Sequence, residues 1–194
     1  VAVTQREDQK NRTRAVLLDA ARTLLMRGEM VTVTAAAHEA GISKASAYRY
    51  FSDPALLAAE AGLHLKVAPY GDIIGDAATL RDRLVAISLY FFDLALANET
   101  AFRTYLGLNL QAAAQSQDGR TPRRGARRIQ AFMCALENET DIGPEQARSI
   151  AAALGMATGA EALIALFDIA GLSANEARAL VAETAEAICD RMLP

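Results

Sequence analysis

Apolar residues recur at three- and four-residue spacing along most of the chain, which is the pattern of amphipathic helices. The first such stretch stops where Gly28 can terminate a helix, and Thr4 and Glu7 have the spacing of a capping box. Either the first helix begins early or a frayed basic arm precedes it. The apolar face of this helix comprises Val16, Leu17, Ala20, Ala21, Leu24 and Leu25.

Residues 32–51 contain two short helical patterns separated by a turn. Thr32 is suited to cap the first helix, Gly41 can adopt the left-handed conformation that ends it, and Ser43 is suited to cap the second. Two short helices joined in this way predict a helix-turn-helix. Its small apolar core is predicted to consist of Ala37, Ala40, Ile42, Ala47 and Phe51.

Helical patterns also fill the rest of the chain. Asp53 and Pro54 are suited to be the N-cap and first residue of a helix, and the polar stretch 116–124 predicts a loop. Ser173 and Glu176 form a capping-box pair before the last helix. The predicted helices span residues 53–66, 80–98, 100–115, 122–138, 144–170 and 173–192.

Composition supports an all-α fold. Glycine (12 residues) and proline (5 residues) are scarce, and alanine and leucine recur without β-branched runs. With 194 residues, of which 52% are hydrophobic, the chain can build one small and one medium-sized domain. We therefore expect a three-helix helix-turn-helix domain over residues 1–52 and a larger helical domain over residues 53–194.

Charge is distributed unevenly along the chain. Residues 1–51 carry eight Lys and Arg against five Asp and Glu, a net charge of +3, whereas the whole chain carries −3. A basic segment on an acidic body is typical of a phosphate-binding module joined to a domain that does not bind phosphate. A charge of this size indicates a function only together with a motif.

Several features indicate a cytoplasmic protein. Residues 1–14 are polar and lack the apolar segment of a signal peptide. Cys134 and Cys189 have no metal-ligand spacing, so we expect free thiols. The stretch 150–167 raises the question of a membrane span, but it contains Glu161 and is rich in Ala and Gly, so a buried interface helix fits it better.

Residues 32–57 resemble the N-terminal segment of the TetR (tetracycline-repressor) family of bacterial regulators. The rest of the chain is similar to that family only in length and helix count. This sequence has alanine at 36 and 47, where the family usually has a large aliphatic residue, and Pro54 where it usually has lysine; we therefore expect a thin core and one phosphate contact fewer. The resemblance rests on Thr32, Ala37, the Ala-Gly-Ile-Ser turn at 40–43, Ser46, the Tyr-Arg-Tyr-Phe run at 48–51, and Leu56 and Leu57.

The resemblance implies that residues 44–50 form the recognition helix of a DNA-binding domain. The chemistry agrees, because hydroxyls and helix N-terminal amides hydrogen-bond phosphate, lysine adds positive charge, and arginine pairs bidentately with guanine. The alternative is that the aromatic residues only pack the helices together, which we accept for Phe51. The expected contacts to double-stranded operator DNA come from Thr32, Thr34, Lys44, Ala45, Ser46, Tyr48, Arg49 and Tyr50.

The last two predicted helices are apolar around more of their circumference than a surface helix needs. Gly155 and Gly159 permit a close backbone approach, and the resemblance implies a homodimer joined by this pair of helices from each subunit. A two-fold axis also suits the reading of two half-sites about 10 bp apart. The alternative is that both helices are intramolecular core. The apolar positions are Ile150, Leu154, Ala157, Ile164 and Ala165 beside Glu161, and Leu180, Val181, Thr184, Ile188 and Met192.

The middle helices carry many aromatic residues, ordinarily the sign of a core. An apolar interior with a few polar groups is also what a small-molecule cavity requires. The resemblance implies that the effector pocket lies here. The expected pocket residues are His64, Phe91, Phe102, Tyr105, Asn109, Phe132, Met133, Met156 and Glu161.

Two further groups favour unremarkable interpretations. Glu60 and His64 are one helical turn apart, but no second His or Cys supports a metal site, so we expect a solvated pair or a pocket wall and no cofactor. The arginine run at 120, 123, 124, 127 and 128 is a second anion site or, as is usual for such runs, a solvated surface.

The function predicted from these patterns is that of a transcriptional repressor released from its operator by a small-molecule effector that shifts the population of conformations. An enzyme is disfavoured, because the sequence shows no nucleophile elbow, phosphate loop or metal motif. With two histidines, His38 and His64, it offers no recognisable catalytic set. The alternative is a helical adaptor that binds protein. Such an adaptor has no need of Ser46, Tyr48 and Arg49 on one basic face.

Overall fold

The computed structural model describes residues 2–62, 67–115, 127–137 and 139–194, and every regular element within these ranges is helical. The prediction of an all-α fold is therefore confirmed. Residue contacts divide the described chain into two compact units, one of residues 2–62 and 100–115 and one of residues 67–99, 127–137 and 139–194. The division differs from a boundary after residue 52, because the helix that follows residue 53 packs against the first helix of the chain.

The first unit contains five helices. They are α1 (Ala2–Met26), α2 (Val33–Glu39), α3 (Lys44–Tyr48), α4 (Pro54–Gly62) and α7 (Glu99–Gln115), of which α7 contributes from Thr100 onward. Helix α1 packs against α2 and α4, and α2 packs against α3. Because α1 begins at Ala2, the early start is the alternative that the structure shows.

The ends of the short helices follow the sequence signals. The Thr32 hydroxyl accepts a hydrogen bond from the Ala35 N–H (3.0 Å), and the Ser43 hydroxyl accepts one from the Ser46 N–H (3.2 Å). Gly41, between α2 and α3, has a φ of +65°, which a residue with a Cβ rarely adopts. The predicted caps and the predicted turn glycine are confirmed.

Half of the buried core residues of the first unit are alanines. Ala36 and Ala47 are fully buried, as expected for a thin core in which helices approach closely. Ala40 and Ile42, which were expected in the core, pack against it while remaining partly exposed. The buried members are Leu17, Ala21, Leu24, Val33, Ala36, Ala37, Ala47, Phe51, Leu57 and Ala61.

The second unit is built around α6. It comprises α5 (Tyr70–Ile74), α6 (Leu80–Ala97), α8 (Arg127–Leu136), α9 (Pro144–Met156), α10 (Ala160–Ile164), a π-helical turn (Ala165–Ile169) and α11 (Ala174–Met192). Helix α6 packs against α8 and α11, and α9 packs against the same two helices. The core includes Leu84, Ile87, Phe132, Leu136, Ile150 and Leu154, all of which are at most 1% exposed.

The prediction of one continuous helix over residues 144–170 is wrong. The chain leaves the α9 conformation after Met156, and Gly159 has a φ of +81°. The buried Thr158 hydroxyl donates to the Leu154 carbonyl (2.8 Å), which satisfies a polar group at the break. The short helix α5 was not predicted at all, because Pro69, Gly71 and Gly75 indicated an interruption.

One stretch of the described chain, Pro144–Ile169, is long and apolar enough to cross a membrane. Of its most apolar window, 44% is buried inside the protein, and core helices of soluble proteins meet the same criterion. The break at Gly159 also divides this stretch. Length and apolar composition are therefore weak evidence for a span.

Candidate nucleic-acid interface

Helix α3 presents polar and cationic side chains to solvent while a single alanine anchors it. Ala47 is fully buried against the core of the first unit. Lys44, Ala45, Tyr48 and Arg49 are exposed, and the Tyr48 side chain is 50% exposed. An aromatic ring left in water on a helix of five residues gains little from packing, so this exposed ring is a candidate contact.

The other expected contacts on α3 lie closer to the protein. Ser46 is partly buried, and its hydroxyl accepts a hydrogen bond from the Ser43 hydroxyl (3.0 Å). Tyr50 is partly buried and packs against the core of the first unit, which is the packing role that the sequence left open for the tyrosines. The structure therefore separates Tyr48, which faces solvent, from Tyr50, which faces the protein.

Helix α2 places its two threonines in different roles. Thr32 is partly buried and caps the helix through its hydroxyl, and Thr34 is partly buried in the first turn. The acidic Glu39 near the end of α2 forms an ion pair with Arg27 at 3.3 Å. Glu39 is the one acidic residue among residues 32–51, and this ion pair offsets its charge in the segment that carries Lys44 and Arg49.

A buried polar network lies beneath this surface. The Arg14 guanidinium on α1 donates two hydrogen bonds to the Glu60 carboxylate on α4, one to each oxygen. The Tyr105 hydroxyl on α7 donates to the same carboxylate at 3.3 Å. The guanidinium also lies over the Phe51 ring, with 4.7 Å between the Arg14 Cζ and the ring centroid. Three helices of the first unit and the segment after α3 thus meet at one charge pair.

Burial and charge shift the proton affinities in this network. Burial alone lowers the pKa of Arg14, but the hydrogen bond and the charge of Glu60 outweigh that effect and raise it above its ordinary value. Burial, reinforced by the Glu60 charge, raises the pKa of Tyr105 to about 12. At neutral pH Arg14 is therefore a cation and Tyr105 a neutral hydrogen-bond donor.

Of the two expectations for Glu60, a solvated pair or a pocket wall, the solvated pair is wrong. Glu60 is 5% exposed because it pairs with Arg14 in the interior of the first unit. Helical spacing in the sequence indicates burial at both positions. Arg14 lies three residues before Leu17 on the buried face of α1, and Glu60 follows Leu56 and Leu57 at helical spacing. His64, its expected neighbour, lies outside the described residues.

The chain was compared with known proteins. No family model matches this chain, and a search of curated proteins found no match. The assignment of a function therefore rests on the geometry and chemistry of the chain itself. Across the described residues no group of three or more His, Cys, Asp and Glu side chains is placed to hold a metal ion, and Cys134 and Cys189 are free.

The expected effector-pocket residues in the described part of the chain belong to both units. In the first unit, Phe102 is partly buried, Tyr105 belongs to the Arg14 network, and the Asn109 amide donates to the Tyr105 carbonyl at 2.7 Å. In the second unit, Phe91 and Phe132 are core residues and Met133 packs against them.

Two further expected pocket residues lie at the edge of the second unit. Met156, at the end of α9, is 77% exposed. Glu161 accepts from the Arg128 guanidinium at 3.1 Å, and Arg128 also donates to the Thr158 carbonyl at 2.5 Å. The Arg128 side chain is thus held by the break after α9, which favours a structural role for this member of the arginine run.

The residues expected at a dimer interface differ in their exposure and contacts. Ile150, Leu154 and Val181 are buried in the second unit. Gly155 and Gly159 face α8 of the same chain, because an added Cβ would overlap Ile129 at the first and Arg128 at the second. The close approach that these glycines permit is therefore intramolecular. Large apolar side chains that remain exposed in this unit are Met156, Ile169 and Leu180.

Proposed function

We propose that this protein is a DNA-binding transcriptional regulator of the tetracycline-repressor type, a repressor that a small-molecule effector releases from its operator. The observation that carries the proposal is the arrangement of buried and exposed side chains on α3. A capped five-residue helix is anchored by buried Ala47 and exposes Lys44, Tyr48 and Arg49 together. These side chains supply charge, a stacking or hydroxyl contact, and a bidentate donor, the groups that DNA recognition uses.

Homodimerisation through the last two helices belongs to the proposal. Its support is the apolar surface of the second unit, where Ile169 is 85% exposed and Leu180 is 40% exposed. A two-fold axis would present two copies of α3 to successive major grooves. We expect the purified protein to sediment as a dimer, and Ile169→Glu to shift it toward monomer because a buried charge is unfavourable at an apolar interface. A wild-type monomer at micromolar concentration contradicts this part.

Effector release is the remaining part of the proposal. Its support is the composition of the core of the second unit, which is apolar and aromatic like the walls of small-molecule sites and includes Phe91 and Phe132, with Met133 packed against them. A ligand that binds better to the conformation in which the two α3 helices are wrongly spaced lowers the affinity for DNA by mass action. Such a ligand is expected to raise the thermal midpoint of the free protein and to dissociate its DNA complex.

The deciding experiment measures binding to duplex DNA that flanks the protein's own coding sequence. Fluorescence anisotropy with labelled duplex, at several salt concentrations, gives both the affinity and its salt dependence. We expect Tyr48→Ala and Arg49→Ala each to weaken binding about tenfold, within the ~1–3 kcal/mol that a good base contact provides. Arg148→Ala is the matched control, because Arg148 is an exposed arginine on α9.

The outcomes separate the proposal from its alternative. Affinity should fall steeply with salt, because phosphate contacts release counterions. Binding that is equal in wild type, Tyr48→Ala and Arg49→Ala contradicts the assignment of α3. A chain that ignores duplexes but captures a protein through a salt-insensitive contact would instead be the helical adaptor.

A further inference from the structure

Arg14 occupies an unusual place for a charged side chain in a small unit. It lies on the buried face of α1, in line with Leu17, Ala21 and Leu24, and its side chain is 18% exposed. Its guanidinium is bound on one side by both oxygens of Glu60 and covered on another by the Phe51 ring. Arg14 is therefore directed inward and is committed to partners of its own chain.

Phe51 connects this network to the candidate recognition helix. Its N–H donates to the Ala47 carbonyl at 3.0 Å, so it continues directly from the last turn of α3, and its side chain is 2% exposed. The buried residues of α2 and α3 are alanines apart from Val33, and alanine methyl groups restrict rotation of a short helix only weakly. A cation over an aromatic face adds an attraction that depends on where the ring lies.

We propose that Arg14, held in place by Glu60 and Tyr105, is a positioning residue for DNA binding: it fixes the Phe51 ring and thereby the orientation of α3. This inference rests on the proposed function. Arg14 contacts Glu60 on α4 and Phe51 in the segment after α3, and Tyr105 on α7 joins the network through its hydrogen bond to Glu60. A change in the position of α4 or α7 therefore reaches α3 through the guanidinium.

Stability alone is a poor reason for such a network. Replacing a buried ion pair by apolar residues of similar volume is often neutral or stabilising, whereas removing one partner leaves a buried unpaired charge. The directional contacts of the pair supply something that apolar packing does not, namely a defined geometry between the helices. This difference makes orientation separable from stability by experiment.

The test uses the full-length double variant R14M/E60L, in which both charges are removed together. We expect a thermal midpoint equal to or above that of the wild type, measured by circular dichroism, and DNA binding weakened about tenfold, which is ~1.4 kcal/mol. Tyr105→Phe, which removes only the hydroxyl donated to Glu60, should weaken binding by a smaller factor. The matched control is R83M/E139L, which removes a partly buried Arg–Glu pair of the second unit and should leave DNA binding unchanged.

The salt dependence distinguishes positioning from contact. Lys44→Ala should reduce the slope of log affinity against log salt by about one, because a phosphate contact is lost. R14M/E60L should leave that slope unchanged, because Arg14 is bound to Glu60 and adds no phosphate contact. A merely structural network predicts that the double variant, once folded, binds DNA like the wild type.

Two results overturn the inference. Wild-type affinity in folded R14M/E60L would show that α3 is oriented without Arg14, and a reduced salt slope in that variant would make Arg14 a phosphate contact. Either result leaves the proposed function intact, because wild-type protein still binds DNA. Failure of the wild-type protein to bind any duplex overturns the proposed function and this inference together.

Discussion

The two units of this protein use their buried polar groups differently. In the second unit the buried Ser88 and Thr158 hydroxyls each donate to a carbonyl four residues earlier on their own chain segment, at 2.8 Å. In the first unit the buried Asn109 amide also donates to a carbonyl four residues earlier, but the buried Glu60 carboxylate joins side chains from two other helices. Local bonds satisfy a polar group and leave the packing free, whereas bonds between helices define the packing.

The apolar parts of the two cores explain this difference. The second unit buries Phe92, Phe132 and Leu84 completely, and large interlocking side chains define how helices fit together. The first unit relies on alanines at the contacts of α2 and α3. In our proposal, charge and hydrogen bonds therefore define the orientation of the short helix α3 on the first unit.

The largest expected difference between the units comes from breaking one ion pair in each. Glu60→Gln leaves the Arg14 charge buried and should lower the free energy of unfolding by about 3–5 kcal/mol. Glu139→Gln removes the partner of Arg83, but both side chains of that pair are more than a quarter exposed, so the loss should be about 1 kcal/mol or less. Urea denaturation followed by circular dichroism is the measurement, because the chain has no tryptophan.

One result would contradict the expected difference between the two ion pairs. If Glu60→Gln and Glu139→Gln destabilise equally, then the Arg14–Glu60 pair is solvated in the folded protein and the contrast between the units disappears. The two units can unfold in separate steps, so each transition is fitted by itself before the losses are compared.

The sequence predicted local structure better than packing. The caps at Thr32, Ser43 and Ser173 were read correctly, because a cap depends on a few neighbouring residues. Helical spacing places Arg14 and Glu60 each on a buried face, but the pattern does not predict their contact, since it joins residues 46 positions apart. The exposure of Tyr48 and the partial burial of Tyr50 likewise depend on how α3 sits on the core, which the pattern left open.

The break after α9 shows the same limit on a shorter scale. Apolar periodicity continues through residues 144–170, so the pattern predicted one helix. The chain breaks at Gly159, where the Arg128 guanidinium occupies the space that a Cβ would need. Only the tertiary contact with α8 distinguishes this glycine from one tolerated inside a helix. Gly155 and Gly159 both make their close approach to α8 of their own chain, and their expected role in a dimer stays a prediction.

A smaller difference is expected from one glycine in each unit. Gly41→Ala places a Cβ at a φ of +65° in open space, so only backbone strain of about 1–2 kcal/mol is expected. Gly159→Ala combines a φ of +81° with overlap on Arg128, whose bonds to Thr158 and Glu161 must then shift. We expect about 2–3 kcal/mol for that variant, since hydrogen bonds are lost in addition to the strain. Equal losses in urea denaturation would show that Arg128 adapts without cost.

The smallest expected difference concerns helix caps and depends on pH. Ser43→Ala in the first unit and Ser173→Ala in the second each remove a cap, and each should lower the free energy of unfolding by about 1 kcal/mol at pH 7. The third helical residue is neutral Ser46 in α3 but acidic Glu176 in α11. Hydrogen bonds from the Ser173 hydroxyl and N–H lower the pKa of Glu176 below its ordinary value of 4.5.

The pH dependence follows from that lowered pKa. Because the carboxylate is stabilised only in the folded protein, its contribution is present above pH 4.5 and is lost as the pH falls through the lowered value. The loss caused by Ser173→Ala should therefore shrink on acidification, whereas the loss caused by Ser43→Ala should stay constant, since no titrating group joins that cap. Urea denaturation of both variants at neutral and acidic pH measures the two trends. A constant loss for Ser173→Ala would mean that the hydroxyl alone, without the Glu176 charge, stabilises the start of α11.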